Sequence, residues 1–311
     1  MLNPVHLKTL TEVIRTGSFA AAARRLGYTA SAVSQQMSAL ERAAQLPLFD
    51  REPHSIRPTA AAELLAQRSV DVLASLAVLD EEVDAIASGR VGRLQLGSFA
   101  TASARVLPQA LAAFARGHPD VEIRLDEGEP DELLPLLQVG DLDVVLVYRY
   151  DLVPRRWPRR LLETELLHER LLALVPDHHE LSAQQSVALD ELASATWIAP
   201  REGTAGAACL ARACAAAGFA PRIAYRSNDY DVVQGLVRSG LGVAVVPALA
   251  HDRSGGSARA LPLAGLQLER HVSALSRPES TTAAVTDALA ALQEAAAGTA
   301  SAVVRAGPVT P

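Results

Sequence analysis

The stretch SFAAAARRLGYTASAVSQQMSALE, residues 18–41, decides the fold of the N-terminal part of this chain. Ser18 and Thr29 each precede a helix-forming run, and Gly27 lies between the two runs. Ser and Thr accept hydrogen bonds from the first helical turn, and glycine adopts the left-handed conformation that ends a helix. The stretch therefore predicts two short helices joined by a tight turn.

The second helix is expected to have one apolar and one polar side. Val33, Met37 and Leu40 recur at spacings of four and three, which places them together. The opposite side carries small hydrogen-bonding residues, namely Ser31, Ser34, Gln35 and Ser38. A slim polar helix fits the major groove of DNA, so the pattern favours a helix-turn-helix. A structural helical hairpin is the alternative that this segment alone leaves open.

The flanking residues favour the DNA-binding interpretation. An upstream helix would complete a three-helix core with Leu7, Leu10, Val13, Ile14 and Phe19. Residues 46–59 predict a short hairpin, or wing, that carries Arg51 and Arg57. The predicted DNA contacts are Ser18, Thr29, Ala30, Ser31, Ser34, Gln35, Ser38, Arg51 and Arg57.

Residues 3–65 resemble the DNA-binding domain of the LysR-type transcriptional regulators. The shared motifs are Leu7 and Leu10, Gly17-Ser18-Phe19, Ala22-Ala23, Leu26, Ser34, Gln36, Leu40-Glu41, Pro47-Leu48-Phe49, Arg51 and Thr59. The family often has Gln-Pro where this chain has Ala30-Ser31, and Arg where it has Gln35. The resemblance implies a winged helix-turn-helix that binds an inverted-repeat operator in double-stranded DNA.

Charge is distributed unevenly along the chain. Residues 1–60 carry seven Lys or Arg against four Asp or Glu, a net charge of +3. The whole chain is −6, so the remainder carries −9. Phosphate attraction is therefore expected from the N-terminal domain, although ordinary surface scatter is the alternative. Because residues 29–41 contain no Lys or Arg, the second helix must contact DNA through Ser, Thr and Gln.

Residues 59–87 predict one long helix, because they contain neither Pro nor Gly. Apolar and small residues repeat along it at spacings of four and three: Leu65, Ser69, Val72, Leu76, Leu79, Val83 and Ile86. Such a seam is typical of a two-helix interface, so we expect a homo-dimer or homo-tetramer. Packing against the chain's own domain is the alternative. Residues 88–92 predict a hinge.

After the hinge, strands and helices alternate, which predicts a mostly parallel sheet with helices on its faces. This part is similar to the two-lobed effector domain of the same family, itself similar to periplasmic solute-binding folds. The predicted fold is thus α followed by α/β. The expected domains are 1–60 (winged helix-turn-helix), 61–90 (linker helix and hinge), 91–297 (effector domain) and 298–311 (disordered tail). Lobe I would comprise about 91–163 and 268–297, and lobe II about 164–267.

A small molecule is expected between the lobes, where ligands of open α/β sheets lie beyond the carboxyl ends of strands. The predicted contacts are Ser98, Thr101, Ser103, Glu129, Tyr148, Pro200, Arg201, Thr204 and Val246. Helix capping is an equal explanation for Ser103. Glu129 could pair with an amine or hydroxyl of the ligand, or could simply stabilise a helix start.

Other classes of function find little support in the sequence. The chain contains no apolar run long enough for a membrane span and no export signal, so we expect a cytoplasmic protein. We expect no catalytic site or cofactor, because no nucleophile elbow, phosphate loop or dinucleotide fingerprint is recognised. His168, His178 and His179 could suggest a metal, but His178 and His179 are adjacent and would point apart, and no Cys or Glu-x-x-His partner is expected near them, so we expect no metal. Two alternatives remain: a redox sensor using Cys209 and Cys214, and a solute-binding module without regulatory DNA binding.

Overall fold

The computed structural model describes residues 2–52, 55–88, 92–251, 256–266, 268–280 and 282–305. Its N-terminal elements are α1 (Pro4–Thr16), α2 (Phe19–Leu26), α3 (Ala30–Ala44), and the hairpin of β1 (Phe49–Glu52) and β2 (Ser55–Pro58). The predicted caps are confirmed. Ser18 accepts a hydrogen bond from Ala21 N, Thr29 accepts one from Ala32 N, and Gly27 ends α2 with φ 70°.

The three helices and the hairpin share one small core. Leu10 of α1 and both Val33 and Leu40 of α3 are completely buried. Leu48 is also completely buried and lies immediately before β1. Each such side chain contributes about 1.5–3 kcal/mol relative to exposure, so the apolar face predicted for α3 holds the head together.

The remaining elements build two α/β lobes. Lobe I begins with β3 (Arg93–Ser98), α5 (Ala100–Arg105), α6 (Leu107–Gly117), β4 (Glu122–Glu127), α7 (Pro130–Val139) and β5 (Val144–Tyr150). The long strand β6 (Leu162–Pro176) crosses into lobe II, which contains β7 (Val187–Ala188), β8 (Thr196–Ala199), α8 (Ala205–Ala216), β9 (Arg222–Arg226), α9 (Tyr230–Arg238), β10 (Ala244–Pro247) and β11 (Ala258–Ala264). The chain returns through β12 (Glu269–Ser276) and α10 (Ala283–Arg305).

The main sheet is mixed, so the prediction of a mostly parallel sheet was wrong. Its strand order is β4-β3-β5-β12-β6-β11-β7, and β10 also pairs with β6. Only β4-β3-β5 and β11-β7 are parallel there, together with the separate pair β8-β9. Strands β6 and β12 pass between the lobes in opposite directions, so they pair antiparallel. The pairs β5-β12, β6-β10 and β6-β11 are antiparallel as well.

Three local expectations need correction. Leu107, Leu111 and Phe114 recur at helical spacing, which predicts one helix over 103–116, but the structure has two helices, α5 and α6, with a break at Val106. The short strand β7 and strand β11 were not predicted. Helix α10 continues through Gly298 to Arg305, so disorder was wrongly predicted there, because an alanine-rich helix tolerates one glycine at a cost of about 1 kcal/mol. Residues 306–311 lie outside the described residues.

The linker helix α4 (Ala60–Ser88) packs on its own chain along one side. That side contacts α1 and α7 and buries Ser69, the second residue of the predicted seam. Further along the seam, Val72, Leu79 and Val83 are more than half exposed. The seam thus divides between an inward-facing and an outward-facing part. Residues 89–91 of the predicted hinge, and the side chain of Ile86, lie outside the described residues.

Candidate functional site

The polar side of α3 faces solvent. Ala30, Ser31, Ser34 and Gln35 are exposed, and Ser38 is half-buried. The hydroxyl oxygens of Thr29 and Ser31 lie 3.0 Å apart, within hydrogen-bond distance. The resulting surface is narrow, uncharged and rich in donors and acceptors, as a major-groove helix requires.

Neighbouring side chains fix this helix and the wing in place. Gln36 is turned towards α1, where its Oε1 accepts a hydrogen bond from the Thr9 hydroxyl at 2.6 Å. Glu41 Oε1 accepts hydrogen bonds from the backbone N–H groups of Leu48 and Phe49, at 2.9 and 3.3 Å. Glu41 therefore ties the end of α3 to the first strand of the wing.

The basic residues of the head differ in their surroundings. Arg15 and Arg25 both pair with Glu12, at 2.5 and 2.9 Å. Arg24, Arg42 and Arg57 are exposed, and Arg57 lies on β2 of the wing. Arg51 lies on β1, and its side chain is outside the described part of the chain. Ser18 is half-buried, and its hydroxyl accepts a hydrogen bond from Ala21 N in the first turn of α2.

A second site lies between the lobes, where β3, β8 and β9 end. A cavity of about 490 Å³ opens there, a size that suits a small molecule. Its wall combines carboxylates, guanidinium groups and amides, namely Ala100, Thr101, Ala104, Arg105, Glu127, Gly128, Glu129, Glu132, Arg201, Ser227, Asn228, Asp229, Tyr230, Asp231, Leu249 and Ala250.

A buried ion pair holds the back of the cleft. Arg270 of β12 and Glu169 of β6 are 2.5 Å apart, and each side chain is only 2% exposed. Arg270 also donates to the Thr101 hydroxyl of lobe I at 2.7 Å. Glu169 accepts a hydrogen bond from Leu249 N of lobe II at 2.6 Å. One ion pair on the crossing strands therefore contacts both lobes.

Glu129 bridges the two sides of the cleft. Its Oε2 accepts a hydrogen bond from the Tyr148 hydroxyl of lobe I at 2.5 Å. Its Oε1 lies 3.4 Å from Asn228 Nδ2 of lobe II. Burial raises the pKa of Tyr148 well above its usual value, and the negative charge of Glu129 adds to that shift. Tyr148 is therefore a neutral donor to the Glu129 carboxylate.

The structure brings most of the predicted ligand contacts together. Thr101, Glu129 and Arg201 line the 490 Å³ cavity. A smaller cavity of about 30 Å³ lies beside it, also bounded by Thr101 and Glu129, and is lined by the predicted residues Tyr148, Pro200 and Thr204. Thr204 also caps α8 by accepting a hydrogen bond from Ala207 N.

Three predicted residues lie outside the cleft lining. Ser98 is completely buried, and its hydroxyl lies 3.4 Å from the carbonyl oxygen of Phe99. Val246 packs in the core of lobe II with Ile198 and Val237. The Ser103 hydroxyl is buried without a hydrogen-bond partner among the described residues. Whether such a side chain faces the cleft or the core depends on how its strand or helix is rotated about its own axis. A position near the end of a strand does not specify that rotation.

Sequence reasoning missed Glu169, Asn228, Tyr230 and Arg270. Two observations could have found three of them, all but Tyr230. Asn228 precedes Asp229, the N-cap of α9, and so follows a strand end like the other predicted contacts. Glu169 and Arg270 alternate with the more exposed positions of their strands, which places them on the buried face, where charged residues are unusual unless they are paired.

The two cysteines do not have the properties of a redox sensor. Cys209 and Cys214 are both buried and reduced. Burial raises the pKa of Cys209 to about 12 and that of Cys214 to about 11. Since the thiolate is the reactive form, both groups are poorly reactive at neutral pH.

Comparison with protein families finds two matches that together span most of the chain. Residues 4–63 match the family described as bacterial regulatory helix-turn-helix protein, lysR family. Residues 87–297 match the LysR substrate binding domain. In the described part of the chain, no helix combines the length and apolar character that crossing a membrane needs.

Individual proteins are similar as well. The HTH-type transcriptional regulator GalR of Pseudomonas putida is 31% identical over 261 residues, which is 83% of this chain and 65% of the relative. ShiR of Corynebacterium glutamicum is 32% identical over 231 residues, 73% of this chain and 76% of the relative. Full-length CbnR bound to its target DNA has a TM-score of 0.57 at 22% identity, covering 94% of this chain and 99% of that one. The last comparison concerns the fold alone.

Proposed function

Because this chain belongs to the LysR family of DNA-binding transcriptional regulators, we propose that α3 contacts the bases of an inverted-repeat operator and that a small molecule binds between the lobes. The observation that carries the proposal is the solvent-facing polar surface of α3, held rigid by a buried apolar face. We further propose that the protein acts as an oligomer in the cytoplasm.

Base and backbone contacts are divided between α3 and the wing. Thr29, Ser31, Ser34, Gln35 and Ser38 supply hydrogen bonds, and Ala30 allows close approach to the groove. Arg51 and Arg57 supply charge to the phosphates. Gln35 is the best candidate for a specific contact, because a glutamine amide can bind adenine with two hydrogen bonds.

This division predicts different defects for two alanine variants. Gln35→Ala should reduce the preference for operator over random DNA by about 1–3 kcal/mol and leave the salt dependence of binding unchanged. Arg57→Ala should weaken binding to both DNAs and reduce the salt slope by about 1. Gln109→Ala, at an exposed position on α6, is the matched control. Equal effects of both variants on both quantities would contradict the assignment.

The cleft suits a small ligand with hydroxyl or amine groups. The cleft is lined from lobe I by Glu129 and Thr101, and from lobe II by Arg201, Thr204 and Asn228. A compound found to raise the melting temperature of the wild-type protein should lose that effect in Glu129→Gln. It should keep it in Glu202→Gln, whose carboxylate is 80% exposed and pairs with Arg226. An unchanged response of Glu129→Gln would remove Glu129 from the site.

Lobe I is in contact with the DNA-binding head of the same chain. Lys8 of α1 pairs with Asp141, just after α7, at 2.8 Å. Gly140 packs against α4 so closely that an added Cβ would lie 2.6 Å from the Ala77 Cβ. Lobe closure that moves α7 would therefore shift α1 and α4, and with them the head. A ligand acts in this way only through different affinities for the two arrangements.

The outward-facing residues of α4 provide the surface for oligomer formation. Helix α4 of a second copy, in either direction, would cover Val72, Leu79 and Val83. This pairing would bring two heads onto the two half-sites of an operator. Sedimentation of the purified protein should give a dimer or a dimer of dimers.

A further inference from the structure

We propose that a side-chain cluster on the back of the crossing strands, formed by Glu165, His168 and His271, binds a divalent transition metal ion of the Zn²⁺ class. One ligand atom from each of these residues lies within 4.8 Å of the others. Two imidazoles and one carboxylate are a common ligand set for Zn²⁺, with a fourth position left to water.

A β-bulge creates the cluster. His168 and His271 are directly opposite each other on β6 and β12, so their side chains share one face of the sheet. The register then shifts, with Leu167 opposite Val272 and Glu165 opposite Ser273. In a regular strand, residues three apart point to opposite faces. The extra residue at the bulge brings Glu165 to the same face as His168, where the Glu165 Oε1 contacts His168 Nε2.

A carboxylate just after a third strand orients one of the imidazoles. Asp151, which follows β5, lies 2.6 Å from His271 Nε2. The other ring nitrogen, Nδ1, is buried and has no hydrogen-bond partner among the described residues. Metal-bound histidines characteristically donate their second N–H to a carboxylate, which fixes the ring and its tautomer. The Asp151–His271 pair therefore leaves Nδ1 with the lone pair that a metal ion takes.

The charge around the cluster also suits a cation. Asp151, Glu165 and Glu269 surround the two imidazoles, and Glu269 Oε2 lies 4.0 Å from His168 Nδ1. Arg149 is opposite His271 on β5, and Arg170 is opposite Glu269 on β6, so both guanidinium groups share this face. Three carboxylates and two guanidinium groups leave one negative charge in excess, which a divalent ion would offset. His168 is 43% exposed, so the site is open to solvent.

The cluster lies directly behind the ligand cleft. The buried pair at the back of the cleft is formed by the sequence neighbours of the two histidines. Glu169 follows His168, and Arg270 precedes His271. Because neighbouring residues of a strand point to opposite faces, one pair of crossing strands holds both sites. A metal ion that links β6 to β12 would make the two strands that connect the lobes more rigid relative to each other. This inference stands independently of which ligand the cleft binds.

The direct test is Zn²⁺ binding to the full-length chain purified without a histidine tag. Titration against a chromophoric chelator should give one high-affinity ion per chain. His168→Gln and His271→Gln should each weaken Zn²⁺ binding by more than tenfold, and Asp151→Asn by about tenfold or more through its effect on the His271 ring. His178→Gln, at an exposed histidine of lobe II, is the matched control and should bind as the wild type does.

Spectroscopy distinguishes this site from adventitious binding. Co²⁺ in place of Zn²⁺ should give the visible absorption of a four-coordinate site in the wild type and in His178→Gln, and lose it in His271→Gln. Circular dichroism of each variant establishes that it is folded, and Glu165→Gln provides a second folded variant if one histidine variant is not. Stoichiometric binding that survives both histidine substitutions, or no binding by the folded wild type, would overturn the proposal.

Discussion

Removing the charge of Glu169 should destabilise the effector domain strongly. Glu169 and Arg270 are each 2% exposed and lie 2.5 Å apart, so Glu169→Gln leaves a buried guanidinium without its counter-ion. Breaking a buried ion pair from one side costs about 3–5 kcal/mol. The Glu169 Oε2 atom accepts from Leu249 N and Oε1 accepts from Arg270, whereas glutamine has only one acceptor oxygen. The substitution therefore removes the charge and also one of these two acceptors.

A loss of this size is readily measured by thermal denaturation at fixed protein concentration. For a domain of about 200 residues, 1 kcal/mol corresponds to about 2–4 °C, so the melting temperature should fall by about 6–20 °C. Glu202→Gln is the exposed control and should change stability by less than about 1 kcal/mol. Adding Arg270→Met to Glu169→Gln should restore part of the loss, because no unpaired charge is then buried. A decrease below 1 kcal/mol in Glu169→Gln, or a double variant that is less stable than the single one, would show that the buried charge pair does not stabilise the domain.

Three further predictions follow from other contacts. Gly140→Val should lower the free energy of unfolding in urea by more than about 1 kcal/mol, because Gly140 has φ 88° and the added side chain would meet Ala77. Unchanged stability would show that the end of α7 does not pack closely against α4. Leu79→Glu should convert oligomers to monomers in sedimentation, and an unchanged mass would place the interface elsewhere. With its pKa raised to about 12, Cys209 should react with Ellman's reagent at pH 8 about a thousandfold more slowly than an exposed thiol, whereas rapid labelling of the native protein would revive the redox alternative.

The DNA-binding head could be predicted from sequence because its determinants are local. Ser18, Gly27 and Thr29 set the ends of two helices by capping and by a left-handed turn. The stripe of Val33 and Leu40 sets which side of α3 is buried. Each of these rules acts within one or two helical turns, so no distant residue had to be known.

The interior of the effector domain depends on partners that are distant in sequence. Ser98 was expected in the cleft, but the pleat of β3 turns it inwards. Arg270 was missed because its partner Glu169 is on another strand, and the crossing topology is not visible in the periodicity. The motif Glu165-x-x-His168 was overlooked for a related reason. Its two side chains share a face only because of the bulge opposite Val272 and Ser273.

As a transcriptional regulator, this chain should bind a specific DNA sequence through α3. The most direct measurement is a salt-series binding titration of the full-length protein on the DNA upstream of its own gene, with scrambled DNA of the same length as the reference. We expect the upstream DNA to bind at least a thousandfold more tightly than the reference at physiological salt, with both affinities falling as salt rises. Equal and weak binding to both DNAs, abolished by moderate salt, would contradict the claim.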